Sequence, residues 1–97
     1  MKDVYVNEDG KVIADTVGFA VTTGSTLTLI LLNPAGTAST KTATLVSTAS
    51  GSWSYTTAGD EFTTEGEWLG QIKVQTGTTT TLYGPIFPIR VMNAIDE

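Results

Sequence analysis

Gly51-Ser52-Trp53-Ser54-Tyr55-Thr56-Thr57-Ala58-Gly59-Asp60, followed by Gly66-Glu67-Trp68-Leu69-Gly70-Gln71-Ile72-Lys73-Val74, is the stretch whose reading decides the fold. Trp53 and Tyr55 fall on one phase of the first segment, and Ser52, Ser54 and Thr56 on the other. In the second, Trp68, Gly70, Ile72 and Val74 alternate with Leu69, Gln71, Lys73 and Gln75. A period of two is the pattern of strands with one face on a core and the other in water. Two such strands joined across a polar corner suit an all-β domain in which two sheets pack together.

The surrounding sequence extends this pattern. Nineteen of the 97 residues are threonine, whose branched side chain is restricted in a helix and fits a pleated surface. No window holds apolar residues at helical spacing, so no helix beyond a single turn is expected. The expected strands are Asp3–Val6, Lys11–Ala14, Gly18–Thr22, Thr26–Asn33, Lys41–Ser47, Ser52–Thr57, Glu67–Thr76 and Thr80–Val91. Glu8-Asp9-Gly10 and Asn33-Pro34-Ala35-Gly36 have turn chemistry, with Pro presetting φ and Gly supplying positive φ. Gly77 is expected to close a hairpin between the two longest strands. Pro85 and Pro88 cannot donate to a ladder, so the last strand must be bulged or lie at an edge. Turns every 8–12 residues or so fit a sandwich or barrel. The expected core is Leu29, Leu31, Ala43, Leu45, Trp53, Tyr55, Trp68, Ile72, Val74, Phe87, Ile89 and Val91.

Composition narrows the function. Residues 1–97 have the length of one domain, with 40% hydrophobic and 15% charged residues. Cysteine and histidine are both absent, which removes thiolate chemistry, disulfides and the commonest general base and metal ligand. A net charge of −5 disfavours nucleic acid as a partner. The run Leu27–Leu32 is far shorter than the roughly 20 apolar residues of a membrane-spanning helix. Met1–Asp9 has no apolar segment of signal-peptide type, so synthesis in the cytoplasm is expected.

The acidic residues fall into two groups, Glu8, Asp9 and Asp15, and then Asp60, Glu61, Glu65 and Glu67. Neither has the spacing of a calcium loop, so they are read as turn formers and solvated carboxylates, with Asp60 hydrogen-bonding the amides of the turn that follows it. A carboxylate pair could in principle hydrolyse a glycosidic bond, but so small a domain offers no evident cleft. The serines and threonines have no histidine to activate them. No enzyme activity, cofactor or metal is expected. Trp53, Trp68, Tyr5, Tyr55 and Tyr83 could make a sugar-stacking platform, although three of them lie on the apolar phase and read better as core. Apolar residues on the outward phase point to a protein contact. The candidate interface is Val4, Tyr5, Val6, Leu69, Leu82, Tyr83 and Ile86.

Four motifs carry a family resemblance when taken in order: Leu31-Leu32-Asn33-Pro34-Ala35-Gly36-Thr37, Lys41-Thr42-Ala43-Thr44, Tyr55-Thr56-Thr57-Ala58-Gly59-Asp60, and Gly66-Glu67-Trp68 with Gln71 and Val74. With Gly10-Lys11-Val12-Ile13 as an opening strand, the chain from about residue 10 to 91 resembles the immunoglobulin-like N-terminal domain of tailed-phage baseplate upper proteins. In that family a K-P-D-G-T turn follows a core strand, Y-T-T-x-x-G-D ends another, and G-x-W opens a long one. This chain departs at Asn33–Gly36, which is less polar, and at the longer corner from Asp60 to Gly66.

The resemblance implies an immunoglobulin-like two-sheet β-sandwich of seven to eight strands. It also implies a non-enzymatic virion structural protein, present in many copies. Capsid decoration is favoured slightly over a place in the tail or baseplate. Its partners would be other virion proteins, capsid or tail and baseplate subunits, with self-association as a further contact and neither nucleic acid nor membrane. The reading from another class is a carbohydrate-binding adhesion module that takes a host-surface glycan. Asp3–Val6 and Thr80–Val91 are the expected sheet edges, and removal of residues 1–6 is expected to leave the domain folded.

Overall fold

Alternation of apolar and polar residues sets eight strands in the computed structural model, which describes residues 2–78 and 80–93, with the Lys2 side chain outside that description. They are β1 (Lys2–Tyr5), β2 (Asp9–Thr16), β3 (Thr26–Leu32), β4 (Ala38–Ser47), β5 (Ser52–Ala58), β6 (Gly66–Thr76), β7 (Thr80–Tyr83) and β8 (Phe87–Met92). There is no helix among the described residues. The pairing order is β1-β8-β6-β3-β4-β5-β2, with β7 also on β6. All pairs are antiparallel except β1 with β8.

Strand β4 makes the architecture. Its first part, from Ala38 to Ala43, pairs with β3, and its last part, from Thr44 to Ser47, pairs with β5. The sheet therefore curls back on itself at β4. Trp53 of β5 meets Phe87 of β8, with ring centroids 5.6 Å apart, although three strands separate them in the pairing order. At the two ends of that order, Asp3 of β1 and Lys11–Ala14 of β2 line one cleft, so the sheet is nearly closed. The space inside holds Leu27, Leu29 and Leu31 of β3, Trp68, Ile72 and Val74 of β6, Ile89 and Val91 of β8, and Trp53 of β5.

Most of the expected core is buried, with Leu45, Tyr55 and Phe87 only partly so. Among the described residues, seven in the core lie outside the expected set: Val4, Val6, Ile13, Val17, Val21, Leu27 and Phe62. The expected strand Gly18–Thr22 is a correction, because the segment belongs to no ladder. Gly18 turns the chain with φ 85°. Val17 N–H donates to the Gly51 carbonyl at 3.0 Å, and Val21 N–H to that of Thr48 at 2.8 Å. The loop buries two valines while its amides are satisfied one at a time. Gly51 makes the close approach possible, since a Cβ there would lie 2.2 Å from the Phe19 carbonyl oxygen.

The expected strand Thr80–Val91 is divided. Residues 84–86 interrupt it, β7 pairs with the C-terminal half of β6, and β8 pairs with its N-terminal half. Pro85 lies in the interruption, where no ladder needs its missing N–H. Pro88, expected at a bulge or an edge, instead stands inside β8 opposite Leu69 of β6, one residue before the β1 ladder begins at Ile89. The Gly84 N–H still reaches the Ile72 carbonyl at 2.9 Å, which keeps the break against β6. Only β7 is an edge. β8 has β1 on one side and β6 on the other.

Candidate functional site: an exposed apolar band

Strands β8, β6, β3 and the first part of β4 turn one face to the core and the other outward. Register puts Pro88, Leu69, Leu32 and Ala38 in a single row across the outer face, one residue from each strand. The next row along β6 carries Gln71, Ile30 and Thr40. Ile86, in the break between β7 and β8, lies against these rows. Together Ile30, Leu32, Ala38, Leu69, Gln71 and Ile86 line a shallow depression of about 180 Å³. Ile86 is 64% exposed, and Leu32 and Leu69 just over a third. The Gln71 side-chain amide donates to the Gly84 carbonyl at 3.0 Å, so even the polar member of the depression has its donor engaged within the chain.

Charged and aromatic residues flank the band. On one side are Glu67, Arg90 and Asp3, in a row across β6, β8 and β1, with Arg90 Nε 3.3 Å from Asp3 Oδ1. Tyr5 pairs with Met92 beyond them. On the other side Tyr83, Lys73, Thr28 and Thr42 form a row across β7, β6, β3 and β4. The face thus reads acidic and cationic, then apolar, then cationic and aromatic along the strand direction.

Of the candidate interface residues, Leu69 and Ile86 meet in the depression, and Tyr83 borders it. Leu82 pairs with the inward-facing Val74 and is exposed at the β7 rim, on the opposite phase. Tyr5 is exposed at the far end of the same outer face. Val4 and Val6 are core residues, 1% and 8% exposed, so their side chains offer nothing to a partner. For the same reason residues 1–6 are not a removable arm. Their loss would strip two core valines and the parallel ladder on β8. Sequence reasoning missed Ile30 and Leu32 as surface residues. Their run of consecutive apolar neighbours hides the period of two, and only the register with β6 separates the faces.

Trp53 and Trp68 are buried, and Tyr55 is half-buried, so a sugar-stacking platform keeps only Tyr5 and Tyr83, which stand at opposite ends of the outer face. Among the described residues, no cluster of three or more Asp or Glu could hold a metal ion.

The acidic corner after β5 is a structural network. Glu61, expected to be solvated, is buried. Its carboxylate accepts from the Tyr55 hydroxyl and from the backbone N–H groups of Ala58 at 2.7 Å, Gly59 at 3.0 Å and Asp60 at 3.1 Å. Burial by itself would raise its pKa, but the hydrogen bonds from Tyr55 and the backbone outweigh it and hold Glu61 below the usual carboxylate range. Burial, with the bond to Glu61 and its charge, pushes the Tyr55 hydroxyl well above its ordinary value. The turn-capping role expected of Asp60 therefore belongs to Glu61. Asp60 is exposed and stands 3.6 Å from Lys41. Both carboxylate oxygens of Glu61 are committed to donors, which leaves this group a clamp on the corner.

No protein-family model matches the chain, and no curated protein sequence matches it significantly.

Proposed function

We propose that this chain is a non-enzymatic structural protein of a bacteriophage virion, an immunoglobulin-like accessory domain bound in many copies, with decoration of the capsid favoured over a place in the tail or baseplate. The observation that carries the contact role is the apolar band on the outer face of β8, β6, β3 and β4. An exposed apolar patch rimmed by polar and charged groups is the physical mark of a protein-contact surface. The immunoglobulin-like reading draws support from three features of the pairing. β1 runs parallel to β8, β4 is shared between β3 and β5, and Trp53 of β5 meets Phe87 of β8 across the core. A layer of β1, β8, β7, β6 and β3 facing β2 and β5 would give that arrangement. The virion reading rests on the family resemblance of the turn and strand motifs.

The test is mass spectrometry and cryo-EM of purified particles from a host that carries the gene. Repeated density for a small β-domain on the particle supports the proposal, and its position decides between head and tail. Absence of the protein from purified particles would refute it. Binding of the isolated protein on a glycan array would favour the adhesion reading instead.

A further inference from the structure

Read as a protein-contact surface, the outer face also carries a charge pattern that selects its occupant. On β6, Glu67 and Lys73 lie three residues to either side of Gly70, both on the outward phase. At about 3.3 Å per residue, each is about 10 Å from that centre. Neither makes an ion pair with another described side chain within 4 Å. Arg90 sits beside Glu67, and Tyr83 beside Lys73, in the corresponding lateral positions on β8 and β7. The apolar rows lie between.

We propose that this face binds a second copy of the chain, about a two-fold axis that runs across the strands at the level of Gly70. The inference rests on reading the band as a protein-contact surface and commits to what covers it. Such an axis reverses positions along the strands and keeps positions across them. Lys73 of one copy then faces Glu67 of the other, and symmetry makes the pair twice. Tyr83 of one copy faces Arg90 of the other, a cation over an aromatic ring. At the centre Leu32 meets Ile30, and Leu69 meets Gln71, whose amide is already turned to Gly84. Two sheets packed face to face stand about 10 Å apart, a gap that these side chains fill. An axis parallel to the strands, placed between β6 and β3, would also join the apolar rows. It would set Lys73 on Thr28 and leave both charges unmatched. Charge complementarity therefore picks the first arrangement and a self-partner.

Sedimentation equilibrium of the full chain, from micromolar to near-millimolar concentration, provides the test. The proposal expects a monomer–dimer equilibrium. Lys73→Glu alone and Glu67→Lys alone should each weaken the dimer about a hundredfold or more, since like charges then meet across the interface. The double exchange, Glu67→Lys with Lys73→Glu, should restore it. Both sites are on the outer face, and melting curves check that the three variants fold. A dimer indifferent to the single exchanges, or not restored by the double one, would overturn the arrangement. A chain that stays monomeric overturns self-association outright. In that case Leu32→Asp separates the two readings. If it lowers occupancy on particles, the face contacts a different virion protein; if occupancy is unchanged, the contact reading falls as well.

Discussion

The two faces of β3 and β6 are made by the same residues taken alternately, yet they solve different problems. Inward, Leu27, Leu29 and Leu31 stand against Trp68, Ile72 and Val74, all buried. Outward, the same two strands show Thr28, Ile30 and Leu32 beside Leu69, Gln71 and Lys73. The inner face is uniformly apolar because it has no water to meet. The outer face carries apolar residues that are only partly covered by the fold, Leu32 and Leu69 being just over a third exposed. What the difference teaches is that burial accounts for the inner face alone, and the proposed contact is what would account for the apolar residues outside.

The comparison is tested most severely at Trp68. It is buried, packs edge-on against Phe62 at 5.0 Å between ring centroids, and donates from its indole to the Thr64 carbonyl at 2.9 Å. Trp68→Ala should cost about 3–5 kcal/mol. With a net stability of about 5–15 kcal/mol usual for a domain, the variant should show a large fall in its urea midpoint or fail to fold. An unchanged midpoint would mean that the inner face is not the core.

A sharper contrast is available from neighbours. Leu31 is fully buried and Leu32, next in sequence, faces outward at the edge of the depression. Leu31→Ala should cost about 2–5 kcal/mol. Leu32→Ala, measured in dilute solution, should cost about 1 kcal/mol or less, in line with its smaller burial. Equal losses by chemical denaturation would erase the distinction between the faces.

How much of this was legible in the sequence follows from the same alternation. Trp53, Trp68, Ile72 and Val74 could be placed inward because polar residues mark the other phase clearly. Where polar neighbours were missing the signal failed. Phe62 and the valines of the 17–21 loop are buried without belonging to any strand, and no periodicity marks them. In the sequence Glu61 reads as a solvated carboxylate, because composition says nothing of three backbone amides and a tyrosine hydroxyl converging on one point. The outer band was only half visible. Leu69 and Ile86 stood out on the outward phase, while Ile30 and Leu32 needed the pairing of β3 with β6 to be assigned a face. Pairing between distant segments is not a local property, so neither the curl at β4 nor the parallel β1–β8 ladder could be read from the strands alone.

The corner at Glu61 shows that the interior tolerates a charge only when it is fully bonded. Glu61→Gln keeps the size but turns a donor toward backbone donors, and should cost about 1–3 kcal/mol. The pH dependence has a defined sign. Because the folded state holds Glu61 below its unfolded value of about 4.3, the carboxylate's contribution is complete above that value and is lost as pH falls toward the folded pKa. Tyr55, raised in the folded state, contributes fully below about pH 10 and loses that contribution above it. Urea denaturation across pH should therefore show wild type losing ground at acid pH relative to Glu61→Gln, so that the gap between them narrows. A gap independent of pH would show that the carboxylate's charge has no part in the clamp.

The smallest expected effect is at Ile86. It is more exposed than Leu32 and Leu69, is set in the break between β7 and β8, and no ladder depends on it. Ile86→Ser in dilute solution should change stability by no more than about 0.5 kcal/mol, as surface substitutions away from special features do. A residue that large and apolar, costing the fold nothing when removed, is the cleanest probe of the outer face. If the band is a contact surface, the same substitution should weaken association measured by sedimentation while leaving the urea midpoint of the dilute protein where it was. A matching loss in both would mean that Ile86 belongs to the core. An effect on neither would remove it from the interface and shift the centre of contact toward Leu32 and Leu69.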